Sequence, residues 1–323
     1  MKRNGFALLF CMTMLLLAPA TLGAERIDAL RIVPGDSVAV GSVNLGALRS
    51  SPLSGRIFAE TDKMAAAGDA ARFLTDAGFD PAKDVDVVTV AVRPRQEETS
   101  GDVLVVAEGR FDAQRIIAAL VARGAETAGT NAGAYYMMPE KENLDGKRGA
   151  VAFPARGYAV IGSENAVKGA LSAVARGGGG FRSTTLGRQL RRIDPAAQAW
   201  VVIDVERLAR LENASGNPNA VGVLSAVKRM SHAGLWTVDT GRALRIGGVA
   251  LSDDAETREL LEDAIRGALA SARLAAQDKD PDLVKILRQS KVTRDREGVS
   301  FDVSVPARYL EKMRGAMTGT AAK

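Results

Sequence analysis

Two hydrophobic periods take turns along this chain, a period of two that predicts strands and a period near 3.6 that predicts helices. The β-branched runs "VDVVTVAVR" (Val85 to Arg93) and "DVLVVAEG" (Asp102 to Gly109) flank the polar loop "PRQEETSG" and predict a hairpin. Upstream, "DSVAVGSVNLGAL" begins as an alternating strand. "SSPLSGRIFAETDKMAAAG" then starts a helix with Ser51 as cap and Pro52 at its first position. In "RFDAQRIIAALVARG" Asp112 can accept from free backbone N–H groups, Phe111 and Ile116 occupy the two staple positions, and Gly124 can close the helix. "AVAFPARGYAVIG" predicts a second hairpin turning at Arg156 and Gly157. Ser163 then caps a helix whose Val167, Ala170, Leu171 and Val174 share one face.

From Asp194 the order restarts. "AAQAWVVIDVERLARL" predicts a strand and short helix, and "NPNAVGVLSAVKRMSHAG" a helix capped by Asn217 with His232 near its end. "LWTVDTGRALRIGGVALSD" predicts a hairpin, followed by a long helix behind Ser252, Asp253 and Asp254. "KVTRDREGVSFDVSV" turns at Asp295 to Gly298, and a last helix follows. "GRFDAQRIIAALVARG" matches "VALSDDAETRELLEDAI" in plan, and "RGYAVIGSENAVKGAL" matches "EGVSFDVSVPARYLEKM": each is a strand, a polar or Pro start, then an amphipathic helix. This predicts a divergent internal duplication. The fold class expected is α+β, in two related halves, each a mixed or antiparallel sheet with helices packed on one face.

The segments "IVPGDSVAVGSVNLGALRSSPL", "GFDPAKDVDVVTVAV" and "LVVAEGRFDAQRI" resemble an uncharacterised family of exported bacterial proteins that share such a repeat. The resemblance covers most of Ile32 to Ile193, with weaker echoes after Asp194. It implies no known activity and brings no catalytic residues.

The first 24 residues carry Lys2 and Arg3, an apolar run from Phe6 to Leu17, then small residues before Glu25, the pattern of a secretory signal peptide. That run is shorter than the ~20 residues a spanning helix needs. The expected organisation is a signal peptide at 1–24, a first repeat at 25–193, a second at 194–316 and a disordered tail at 317–323. Removing the leader removes Cys11, the only cysteine, and with it any disulfide or thiolate chemistry. A formal charge of +5 on 323 residues, two of the cations lying in the leader, gives little attraction for nucleic acid. Aromatics at 5% supply no stacking surface.

Candidate chemistry is sparse. Gly177 to Gly180 lack the preceding strand and the Gly-Lys-Ser/Thr ending of a phosphate loop. Gly177 fits a helix end and Gly178 to Gly180 a flexible link to a helix capped by Ser183 or Thr184. Beyond them Arg182, Arg188, Arg191 and Arg192 occur with no acid before Asp194, the last three on one helical face. They are the candidate contacts for an anionic envelope component or protein partner, against the alternative of a solvated face. Ser225-x-x-Lys228 matches the S-x-x-K of acyl-transferring enzymes, without the other elements those enzymes need. "DKDPD" (Asp278 to Asp282) opens like a calcium loop, but Leu283 and Gln289 stand where Gly and Glu are required. Asp280 is better read as a helix cap with Pro281 at the first position. His232, the only histidine, has no second ligand for zinc.

The expected function is therefore that of an exported, soluble, non-catalytic binding or interaction protein of the periplasm or cell envelope. No cofactor, no metal, no nucleic-acid partner and no transmembrane segment in the mature chain are expected. The alternatives are an envelope hydrolase using Ser225 or His232, and a structural component of an envelope assembly.

Overall fold

A computed structural model describes residues 29–51, 68–94, 102–139, 148–178, 180–214 and 229–319. The β-branched runs form strands at the expected places: β1 (Ala39–Asn44), β2 (Val85–Arg93), β3 (Asp102–Gly109), then β4 (Glu126–Thr130), β5 (Gly133–Met137), β6 (Gly149–Ala155) and β7 (Tyr158–Ser163). After them come β8 (Ala199–Asp204), β9 (His232–Asp239), β10 (Ala243–Leu251), β11 (Lys291–Arg294) and β12 (Gly298–Pro306). All join one antiparallel sheet of 12 strands, in the order β11-β12-β10-β9-β8-β1-β2-β3-β7-β6-β5-β4. The join between its two ends is β1 against β8, with Val40 opposite Val202.

The helices form where sequence caps them. Asn44 accepts from Ala47 to start α1 (Leu45–Leu48). Then come α2 (Gly68–Ala77) and α3 (Pro81–Asp84), the latter capped by Asp80. Asp112 accepts from the N–H groups of Gln114 and Arg115 at α4 (Ala113–Ala122). Ser163 caps α5 (Glu164–Ala175), and Thr184 accepts from Gly187 to start the single turn α6 (Thr185–Arg188). After α7 (Val205–Ala214), Asp254 caps α8 (Ala255–Ala276) and Asp280, followed by Pro281, caps α9 (Pro281–Arg288). The last helix, α10 (Ala307–Gly319), runs into the stretch expected to be a disordered tail. The helix expected from Ser51 and Pro52 and the one expected from Asn217 lie outside the described residues.

Successive side chains of a strand point to opposite faces, so each strand serves two layers. On the first face Val40, Ala91, Leu104, Val106, Val160, Trp200, Val202 and Trp236 join Val167 and Leu171 of α5 in one core that spans both ends of the sheet. On the second face Val151 and Phe153 of β6 pack under Ile116 and Leu120 of α4, with Phe73 of α2 beside them. Far along the same face Ala233, Ala250 and Val299 pack under Leu261 and Ile265 of α8. The expectation of helices on one face is corrected: both faces carry them. The reason is legible in β5 and β6. Tyr135, Met137, Ala150 and Ala152 face one layer and Tyr136, Met138, Val151 and Phe153 the other, leaving no polar side for water.

His232 is also corrected. It opens β9 opposite Asp204 of β8 and does not sit at a helix end.

Candidate functional site

Among the described residues the second face carries, at its middle, only the short α1, whose Leu45 and Leu48 pack with Val43 of β1. Between α2 and α4 at one end and α8 at the other lie β7, β3, β2, β1 and β8, a floor about 20 Å wide at the ~4.8 Å spacing of paired strands. The register places Val88 and Val90 of β2, Val103 and Val105 of β3, Ile161 of β7 and Val201 of β8 on this floor. Val103 and Ile161 are 42% and 37% exposed, and the other four are half-buried. Partly exposed apolar side chains on four strands of one face, open among the described residues, are a feature of a binding surface. One end of the floor is braced by Arg49, which follows α1. Its guanidinium donates to the carbonyls of Ala82 and Val85 and pairs with Asp86 at 2.5 Å.

Three groups shifted chiefly by burial, Glu108 and His232 on the first face and Asp239, whose place in the β9 alternation assigns it to the second, do not converge. Glu108 of β3 is 7% exposed, and burial pushes its carboxyl up to about 7, with the Asp86 charge adding to the shift and a hydrogen bond from Tyr158 opposing it. Its Oε2 has no hydrogen-bond partner among the described residues. Burial likewise holds His232 below the ordinary histidine range, against the opposing pull of Asp204, Glu206 and Asp253, and its Nε2 lacks a partner among the described residues. Three strands, β2, β1 and β8, separate the two groups, so they stand about 19 Å apart at least. The third, Asp239, is raised by burial and accepts from the Gly241 N–H at the opposite end of β9 from His232. An active site needs such groups within reach of one reacting atom. Ser225 lies outside the described residues, and among those described no group of three or more His, Cys, Asp or Glu side chains is placed to hold a metal. Among them, too, no helix is long and apolar enough to cross a membrane.

No family model matches the chain, and no curated protein matches it. Among solved structures it is similar to TP0453 in three crystal forms, each at 10% sequence identity. Form III has a TM-score of 0.48, covering 88% of this chain and 96% of that one, and form IV has the same values. Form I has a TM-score of 0.46, covering 90% and 98%.

The described glycines of the segment have defined places. Gly177 and Gly178 close α5, their N–H groups donating to Val174 and Ala173 at 2.9 Å each with φ of +85° and +136°, the left-handed helix end that sequence predicts. Gly180 then bridges Pro34, and Phe181 is 0% exposed in the first-face core. Gly179 is outside the described residues. Residues Leu186, Leu190 and Ile193 continue that core alongside Trp200 and Trp236.

Of the four arginines, two form ion pairs with the β11–β12 turn. Arg192 pairs with Asp295 at 2.7 Å and with Glu297, and Arg191 with Glu297 at 2.8 Å, which ties this segment to the β11–β12 turn. The Arg192 guanidinium holds Asp295 at about 2, well below the usual carboxylate range. Arg188 is exposed and donates to the Ser183 carbonyl, and Arg182 is exposed in the short 3-10 turn Phe181–Ser183. The helical face expected of Arg188, Arg191 and Arg192 is split, because the α turn ends at Arg188 and a 3-10 turn follows. Replacing Arg192 by Ala should lower stability by about 1 kcal/mol in urea titration at pH 7, the upper range for a half-exposed ion-pair network. Asp295→Asn should give a similar loss, and the double variant less than the sum.

Proposed function

We propose that the protein acts by binding and not by catalysis, that it is exported to the periplasm or cell envelope, and that the open valine floor is its binding surface. The observation that carries this is a partly exposed apolar surface over β7, β3, β2 and β8, open among the described residues, while the titratable groups shifted by burial stand far apart. A hydrolase using His232 would have Asp204 facing it on β8, while its candidate nucleophile Ser225 lies outside the described residues.

The repeat belongs to the same reading. The strand orders β1-β2-β3-β7-β6 and β8-β9-β10-β12-β11 run outward from the central join in the same sequence, which supports a duplication with halves at 25–193 and 194–316. An anionic partner would meet Arg191 and Arg192 only by displacing Glu297 and Asp295.

The test uses an apolar fluorescent dye, anilinonaphthalene sulfonate. The native protein at pH 7 should raise and blue-shift its emission, and Val90→Lys with Val105→Lys should cut the signal at least about fivefold while circular dichroism is kept. A folded protein that leaves the dye dark, or a double variant that binds it as well as the parent, would discard the valine floor as a binding surface.

A further inference from the structure

A 12-stranded open sheet has two edges, and this one defends only one of them. At β11 the edge is four residues long, carries Lys291 and Arg294, and is held against α8. The Asp295 to Gly298 turn bond sets the alternation that turns the Val292 carbonyl outward, and Arg266 of α8 donates to it at 3.3 Å. Arg294 is further fixed by Glu262 at 3.0 Å. Charge, shortness and a covered carbonyl are the devices that keep an edge from pairing with another chain.

The opposite edge, β4, is nearly as short but among the described residues has no covered carbonyl and no basic side chains. Its sequence "ETAGT" has a single charge, Glu126, which pairs with Arg148 at 3.1 Å. The two-residue turn Asn131–Ala132 makes Thr130 and Gly133 the hydrogen-bonded pair of the hairpin, so the alternation turns the N–H and C=O of Thr127 and Gly129 outward. Among the described residues nothing bonds to those four groups, and both residues are exposed.

We infer that β4 is an association edge that pairs antiparallel with β4 of a second copy of this chain about a twofold axis at Ala128. In that register Thr127 stands opposite Gly129 of the partner subunit, each outward group meets its complement in about four backbone hydrogen bonds, and Glu126 stands opposite Thr130 of the partner subunit. No like charges face each other along the strand. The blocked β11 edge prevents head-to-tail growth from β4 onto β11, so the pairing closes as a dimer and does not extend as a fibre. A single strand pair buries less area than a standard stable interface, so the dimer is a weak one, forming at tens of micromolar.

The test is sedimentation of the purified protein across a concentration series. The expected result is monomer near about 1 µM and dimer near about 100 µM. Thr127→Pro removes an outward N–H without touching the β4–β5 ladder and should weaken dimerisation at least tenfold with the melting temperature kept. A second pair of variants guards against a folding artefact. A Cβ at Gly129 meets nothing within 4 Å, so a side chain fits there. Thr127→Lys with Gly129→Lys sets like charges opposite each other and should abolish the dimer, whereas Thr127→Glu with Gly129→Lys should restore it. A parent protein that stays monomeric at about 100 µM, or a dimer indifferent to both Thr127→Pro and the lysine pair, would overturn the inference.

Discussion

Replacing Phe181 by Ala is expected to destabilise the protein by about 3–5 kcal/mol, a large part of the stability of an ordinary domain. Among the described residues Phe181 is the largest of the fully buried side chains. It enters the core straight after Gly180, whose φ of +68° and bridge to Pro34 aim it inward. Its own carbonyl is packed against Gly187, where a Cβ would collide with it, and also accepts from the Thr184 hydroxyl at 2.6 Å. The surroundings are thus held from several sides and cannot collapse into the space a phenyl ring leaves. Equilibrium urea unfolding of the variant measures the loss. A change below about 1 kcal/mol would mean that Phe181 is not held in the core as described.

Replacing Glu108 by Gln should make the protein more stable at neutral and alkaline pH. The folded state raises this carboxyl to about 7 by burying it, while the unfolded chain releases its proton near 4.5, so folding favours the protonated form. The stabilisation linked to that proton is whole below about pH 4.5. It declines as pH rises toward 7 and is gone above it, where the folded protein holds a buried carboxylate. A shift of this size corresponds to roughly 2–4 kcal/mol. Gln keeps the shape and the hydrogen bond with Tyr158 but cannot ionise. The variant should therefore match the parent near pH 4 and exceed it by about 2 kcal/mol or more at pH 8 in denaturant titrations. Equal pH profiles for the two proteins would mean that Glu108 ionises as freely folded as unfolded.

How much of this was legible in the sequence depends on how local the cause was. The ends of β2 and β3 fell where their β-branched runs stop, and Asp112, Ser163, Asp254 and Asp280 cap the helices they were expected to cap, because a cap is decided within four residues. The β4–β5 hairpin went unseen: "ETAGT" and "GAYYM" are rich in Gly and Ala, and their strand state comes from pairing at the sheet end. His232 looked helical beside "KRMS", but its neighbours across the sheet, Asp204 and Leu251, made it a strand residue. The ion pairs of Arg191 and Arg192 join residues more than 100 positions apart and have no local signature. Glu108 did leave a trace. It shares its parity with Leu104 and Val106, and strict alternation alone points it inward.

The pairing of β1 with β8 has a consequence for how the chain reaches this structure. Ala39 waits for Ile203, so the middle of the sheet closes only after some 160 residues have been made and brought back. Loops of that length raise the contact order and slow folding, and until they close β1 presents a bare apolar edge on which other unfinished chains can assemble. A fragment ending at Ile193 would carry that edge permanently. It would aggregate where the whole chain folds, and folding yield would fall as chain concentration rises.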